Sequence, residues 1–67
     1  MNNFIVLHYL NGKTISRFDF GEELDKAIDF IHYLMEQVHQ IGKHHLTVVC
    51  EITHMTYYNQ RFEILED

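Results

Sequence analysis

Only one cysteine, Cys50, occurs in the 67 residues, so no disulfide can close within the chain. Proline is absent, and with no repeats or low-complexity segments either, the chain reads as one compact domain over residues 1–67. Serine occurs once, at Ser16, and Cys50 sits among Leu46, Val48 and Ile52, where a thiol behaves as a small hydrophobe. Gly12, Gly21 and Gly42 are too far apart to form a phosphate-cradling loop. These absences argue against nucleophilic or phosphoryl-transfer chemistry, and no enzyme activity or cofactor is expected. No run approaches the roughly 20 apolar residues that span a bilayer. The opening MNNFIVLHYLNGK lacks a basic region before its apolar stretch and a small-residue cleavage site after it. The expectation is a soluble, cytoplasmic protein with no membrane partner.

Positive charge is also scarce: five Lys and Arg stand against ten Asp and Glu, a net of -5. Residues 22–41 hold Glu22, Glu23, Asp25, Asp29 and Glu36 against Lys26 alone, so most of the imbalance lies there. Direct nucleic-acid binding is disfavoured, because basic side chains must displace counterions from phosphates. The outer face of the first hairpin offers only Lys13 and Arg17 beside Phe4 and His8 for such a role. A basic protein surface is the better-matched partner. Six histidines, if all protonated, would bring the chain close to neutrality, so association should respond to pH between about 5 and 7.

What the chain has in quantity is apolar residues, 46% of the total. FIVLHYL at 4–10 and KTISRFDF at 13–20 are β-branched and aromatic. Asn11-Gly12 between them is a strong two-residue hairpin signal, since a type I′ turn needs positive φ at both central positions. Such a loop pairs Tyr9 with Thr14, Leu7 with Ser16 and Ile5 with Phe18. Those residues and Phe20 then form the core face, leaving Phe4, Val6, His8, Leu10, Lys13, Ile15, Arg17 and Asp19 outside.

GEELDKAIDFIHYLMEQVHQIG at 21–42 places Leu24, Ala27, Ile28, Phe30, Ile31, Leu34, Met35, Val38 and Ile41 in an apolar sector about 160° wide, as in an amphipathic helix. Glu22 and Glu23 suit its N-terminal end, and Gly42-Lys43 its C-terminal end. Gly21 supplies no side-chain cap, and His44-His45 falls in the loop that follows. LTVVCEIT at 46–53 and TYYNQRFEILE at 56–66 read as two further strands, joined near His54 by a connection without a turn signature. The order β-β-α-β-β predicts an α+β fold: a four-stranded, mainly antiparallel sheet with one amphipathic helix packed on one face.

A chain this short buries only about 60% of its unfolded surface, so it gains little from one core. The outer sheet face, with Phe4, Val6, Leu10 and Ile15, is a candidate oligomer interface, and a homodimer is expected. A structural subunit that docks in a larger assembly could use the same face.

Two side-chain constellations remain. Glu22, Asp25, Asp29 and Glu36 line the helix opposite its apolar sector. Solvated faces usually mix signs to gain i,i+4 pairs, whereas Asp25 and Asp29 repel. This line is the candidate partner-binding site, and its sharpest reading is an inhibitor that mimics DNA phosphates. His32, Glu36 and His39, at i, i+4 and i+7, are weak candidates for a metal site or a pH-responsive domain. They lack the H-E-x-x-H spacing and any local fourth ligand.

Overall fold

A computed structural model describes residues 1–66. The elements are β1 (Phe4–Leu10), β2 (Lys13–Gly21), α1 (Leu24–Gln37), β3 (Gly42–Cys50) and β4 (Thr56–Ile64). The strands form one antiparallel sheet in the order β2-β1-β3-β4, and α1 lies across one face. The α+β class and the β-β-α-β-β order match the pattern read from the sequence.

The first hairpin turns as its chemistry requires, with φ of 52° at Asn11 and 85° at Gly12. Leu10 then opposes Lys13, and Tyr9 opposes Thr14. Beyond that point the register departs from simple alternation. His8 opposes Ser16, so Ile15 is an extra, unpaired residue, a β-bulge. One inserted residue exchanges the faces of everything that follows. Val6 therefore meets Phe18, and Phe4, Val6 and His8 share the helix side with Ser16, Phe18 and Phe20.

This corrects the expected interface. Phe4 is 4% exposed and Val6 0%, both in the core beneath α1. Leu10 follows them by alternation, opposes the buried His44 and is half-buried. Of the four residues assigned to the interface, only Ile15, at 44%, is well exposed.

The core joins Phe4, Val6, Leu46, Val48 and Cys50 of the sheet to Ala27 and Ile31 of the helix. Burying an aliphatic side chain of this kind stabilises by roughly 1.5–3 kcal/mol. Phe18, Phe20 and Phe30 extend it towards β2, with ring centroids 4.6 Å apart for Phe18–Phe30 and 5.2 Å for Phe20–Phe30.

α1 begins without a side-chain cap at Glu23 and ends earlier than the apolar sector suggested. Val38 is already extended, with φ -79° and ψ 128°, and Ile41 is 55% exposed rather than part of the core. β3 accordingly starts at Gly42, taking His44 and His45 into the sheet opposite Leu10 and Tyr9. Gly42, with φ 137°, is no helix cap. A Cβ there would lie 2.8 Å from Leu10 Cδ1 and 3.0 Å from the Asn11 side chain, so glycine lets β3 pass close under the hairpin turn. The turn is tied to this strand by Asn11 N–H donating to the Lys43 carbonyl (2.8 Å) and Lys43 N–H to Asn11 Oδ1 (2.9 Å).

The β3–β4 connection is tight. Cys50 N–H donates to the Met55 carbonyl and His54 N–H to the Cys50 carbonyl, with His54 held at φ 62°. Tyr57 then forms a bulge, so that it meets Phe4 edge-on while Tyr58 reaches His32.

Candidate functional sites

The acidic side of α1 survives in the fold. Asp25, Asp29 and Glu36 are exposed along the helix, and Glu22 is exposed just ahead of its N-cap. Among the described residues the salt bridges are Arg17–Glu51 (2.6 Å) and Lys26–Glu23 (3.1 Å). None of the four candidate carboxylates has a cationic partner, and Lys26, the one cation within α1, is engaged by Glu23. The last turn of α1 carries no basic residue to oppose the helix dipole.

His32, Glu36 and His39 do not converge as an uninterrupted helix would require. The helix stops at Gln37, so His39 stands in the connection beyond it. His32 is occupied by the Tyr58 hydroxyl at 2.7 Å, and that hydroxyl also accepts from Gln60 Nε2 at 2.8 Å. Among the described residues, no group of three or more His, Cys, Asp or Glu side chains is disposed to hold a metal ion.

The histidines that come together are two that the pattern had separated. His8, assigned to the outer face, and His44, assigned to a loop, are 5% and 2% exposed on the helix side of adjacent strands. His8 Nε2 lies 2.8 Å from His44 Nδ1, and His44 stacks flat on Phe62 with centroids 4.9 Å apart. The Gln40 carbonyl lies 2.6 Å from His44 Nε2 and can only accept, so that nitrogen carries a proton. In the neutral pair, His44 Nδ1 is then the acceptor and His8 Nε2–H the donor. Burial, reinforced by repulsion from a charged His44, holds the His8 pKa below its usual value. Once His44 is placed in β3, its alternation with Leu46, Val48 and Cys50 is the signal that would have found the pair.

Cys50 is fully buried, as its apolar neighbours suggested. Its thiol is nonetheless drawn down to about 7 by hydrogen bonds from the Thr53 side chain and from the backbone of Thr53, Asn3 and Ile52. Glu51, exposed beside it, is held below the usual carboxylate range by Arg17 and Asn3.

Fold and sites together define a small α+β domain, one helix on a four-stranded antiparallel sheet, with an acidic helix face and a buried histidine pair. Comparison with protein-family models, curated proteins and solved structures finds no match. No helix among the described residues is long and apolar enough to cross a membrane.

Proposed function

We propose that the chain is a small, non-enzymatic interaction module whose α1 face docks on a basic protein surface. The observation that carries this reading is the set of four exposed carboxylates, Glu22, Asp25, Asp29 and Glu36, with no cationic partner among the described residues. An exposed helix gains a few tenths of a kcal/mol from each mixed-sign i,i+4 pair. A single-signed face forgoes that gain, which is understandable where a partner supplies the positive charge.

At 1.5 Å rise per residue, Asp25, Asp29 and Glu36 span about 16 Å of helix. One DNA strand carries a charge about every 3.4 Å, so the face stands in for every second or third phosphate. The partner that fits is a basic groove of moderate charge on a nucleic-acid-handling protein, which the module would occupy as an inhibitor. With Phe4, Val6 and Leu10 turned inward, the reading does not call on a homodimer.

Affinity capture from the source cell at low and high salt tests it. The captured protein should bind DNA, DNA should compete for it, and capture should fail at high salt. The triple variant Asp25→Asn, Asp29→Asn, Glu36→Gln should fold normally and capture nothing. Undiminished capture by that variant would overturn the reading.

The buried His8–His44 pair favours a second reading, a pH-responsive domain. Protonation would place charge in this buried pair, so the packing around it would weaken as pH falls.

A further inference from the structure

The acidic helix leaves the basic residues unexplained. Three positions directly opposite one another on β1, β3 and β4 form a row on the sheet face away from α1: Tyr9, His45 and Arg61. Tyr9 and His45 stack, with centroids 5.7 Å apart and ring planes at 30°. The next row towards the hairpin holds Lys43 opposite Glu63, next to Asn11. These six residues are among those that line an open hollow of about 680 Å³, which also reaches His44 and Phe62. That lies within the range of small-molecule sites, roughly 300–1,000 Å³.

Two features mark the hollow as more than a dent in the sheet. Lys43 and Arg61 are free of ion pairs among the described residues, although Arg17 and Lys26 are both engaged. Even Glu63, directly across from Lys43, makes no salt bridge with it. His45, opposite Arg61 and two residues from Lys43 on β3, has a buried Nε2 with no hydrogen-bond partner among the described residues. Buried polar atoms are nearly always satisfied, and an orphan beside a concave surface calls for an explanation.

We propose that this hollow binds a small phosphomonoester that also carries hydroxyl groups, a sugar phosphate or a nucleoside monophosphate. The Arg61 guanidinium and the Lys43 ammonium take the dianionic phosphate. Glu63 would repel a bare anion, but it accepts hydrogen bonds from ligand hydroxyls. Asn11 Oδ1 is already used by Lys43 N–H, which leaves its Nδ2 as a donor to the same groups. The Tyr9–His45 stack presents an aromatic wall for a planar base. A nucleic-acid polymer does not fit, because the two cations at the hollow, on a chain of net charge -5, cannot follow a phosphate backbone.

The test is NMR titration of the full chain with inorganic phosphate, ribose 5-phosphate, AMP and acetate. Both phosphate esters should bind saturably, more tightly than inorganic phosphate, with shifts concentrated at Tyr9, Lys43, His45 and Arg61. Arg61→Gln and Lys43→Gln should each weaken binding about tenfold, whereas Lys26→Gln, on the helix, should not. Tighter binding of AMP than of ribose 5-phosphate would identify a nucleotide, and equal binding a sugar phosphate. No saturable shift with either ester at about 1 mM would overturn the proposal. So would acetate binding as tightly as the esters, or an equal loss in Lys26→Gln. The site is independent of the acidic face, so the triple-neutralised helix variant must retain it, and failure of one proposal leaves the other standing.

Discussion

His8 Nε2 lies 2.8 Å from His44 Nδ1 beneath the helix, and the pair can hold one bridging proton between the rings but not two. With His44 Nε2–H committed to the Gln40 carbonyl, a second proton would set two N–H groups against each other.

A pH dependence of stability follows. The folded His8 pKa lies below the ordinary value of 6.5, so the unfolded chain binds more protons between the two. Stability is therefore full above about pH 6.5 and is lost as pH falls through the folded value. One proton contributes a slope of at most about 1.4 kcal/mol per pH unit. Urea denaturation from about pH 7.5 to 5 should show the decline, and His8→Gln should flatten it. An unchanged slope in that variant would remove His8 as its source.

Val6 separates a core from an interface. With no exposed surface beneath α1, Val6→Ala should cost roughly 1–3 kcal/mol, and Val6→Glu should leave the chain unfolded. Circular dichroism and gel filtration distinguish the cases. A folded, monomeric Val6→Glu protein would place Val6 in an oligomer contact instead.

The origin of that difference shows what the sequence could and could not convey. The Asn11-Gly12 turn and the apolar side of α1 were legible because their chemistry is local: positive φ at two positions, and a 3.6-residue period. The face of β1 was not. As an inner strand with Phe4, Val6 and Leu10 on one side and Ile5, Leu7 and Tyr9 on the other, it is apolar in both phases, so alternation cannot orient it. The bulge at Ile15, which decides the matter, has no glycine to announce it. The helix end failed for a related reason. Val38 and Ile41 fit the apolar period, but pairing of His44 and His45 with β1 residues more than thirty positions earlier pulls this stretch into the sheet. That long-range pairing also hid the His8–His44 pair and the row through His45. The exposure of Glu22, Asp25, Asp29 and Glu36 could be read from the helix period alone, since exposed charge depends on no partner.

Gly42 should be the least replaceable of the two glycines around the hairpin. Both Gly12 and Gly42 have positive φ, so alanine is strained at either, but only at Gly42 does the new Cβ meet other atoms, at 2.8–3.0 Å. Gly12→Ala should cost about 1 kcal/mol and Gly42→Ala roughly 2–4 kcal/mol. Thermal melts of the two variants side by side measure the difference. Equal losses would mean that the close pass of β3 under Leu10 and Asn11 is not what requires glycine.

Asp29 offers a direct contrast between stability and binding. It lies one turn beyond Asp25, a like-charge i,i+4 pair on an exposed face. Asp29→Lys converts repulsion into an acid-to-base pair in the favourable orientation, so the helix should gain about 0.5–1 kcal/mol. If the face exists to meet a basic partner, the same change puts a cation in the middle of the contact and should weaken capture at least tenfold. A variant that melts higher and binds worse is the expected outcome, read by thermal denaturation and by capture at low salt. Higher stability with undiminished capture would mean that the acidic line only faces water.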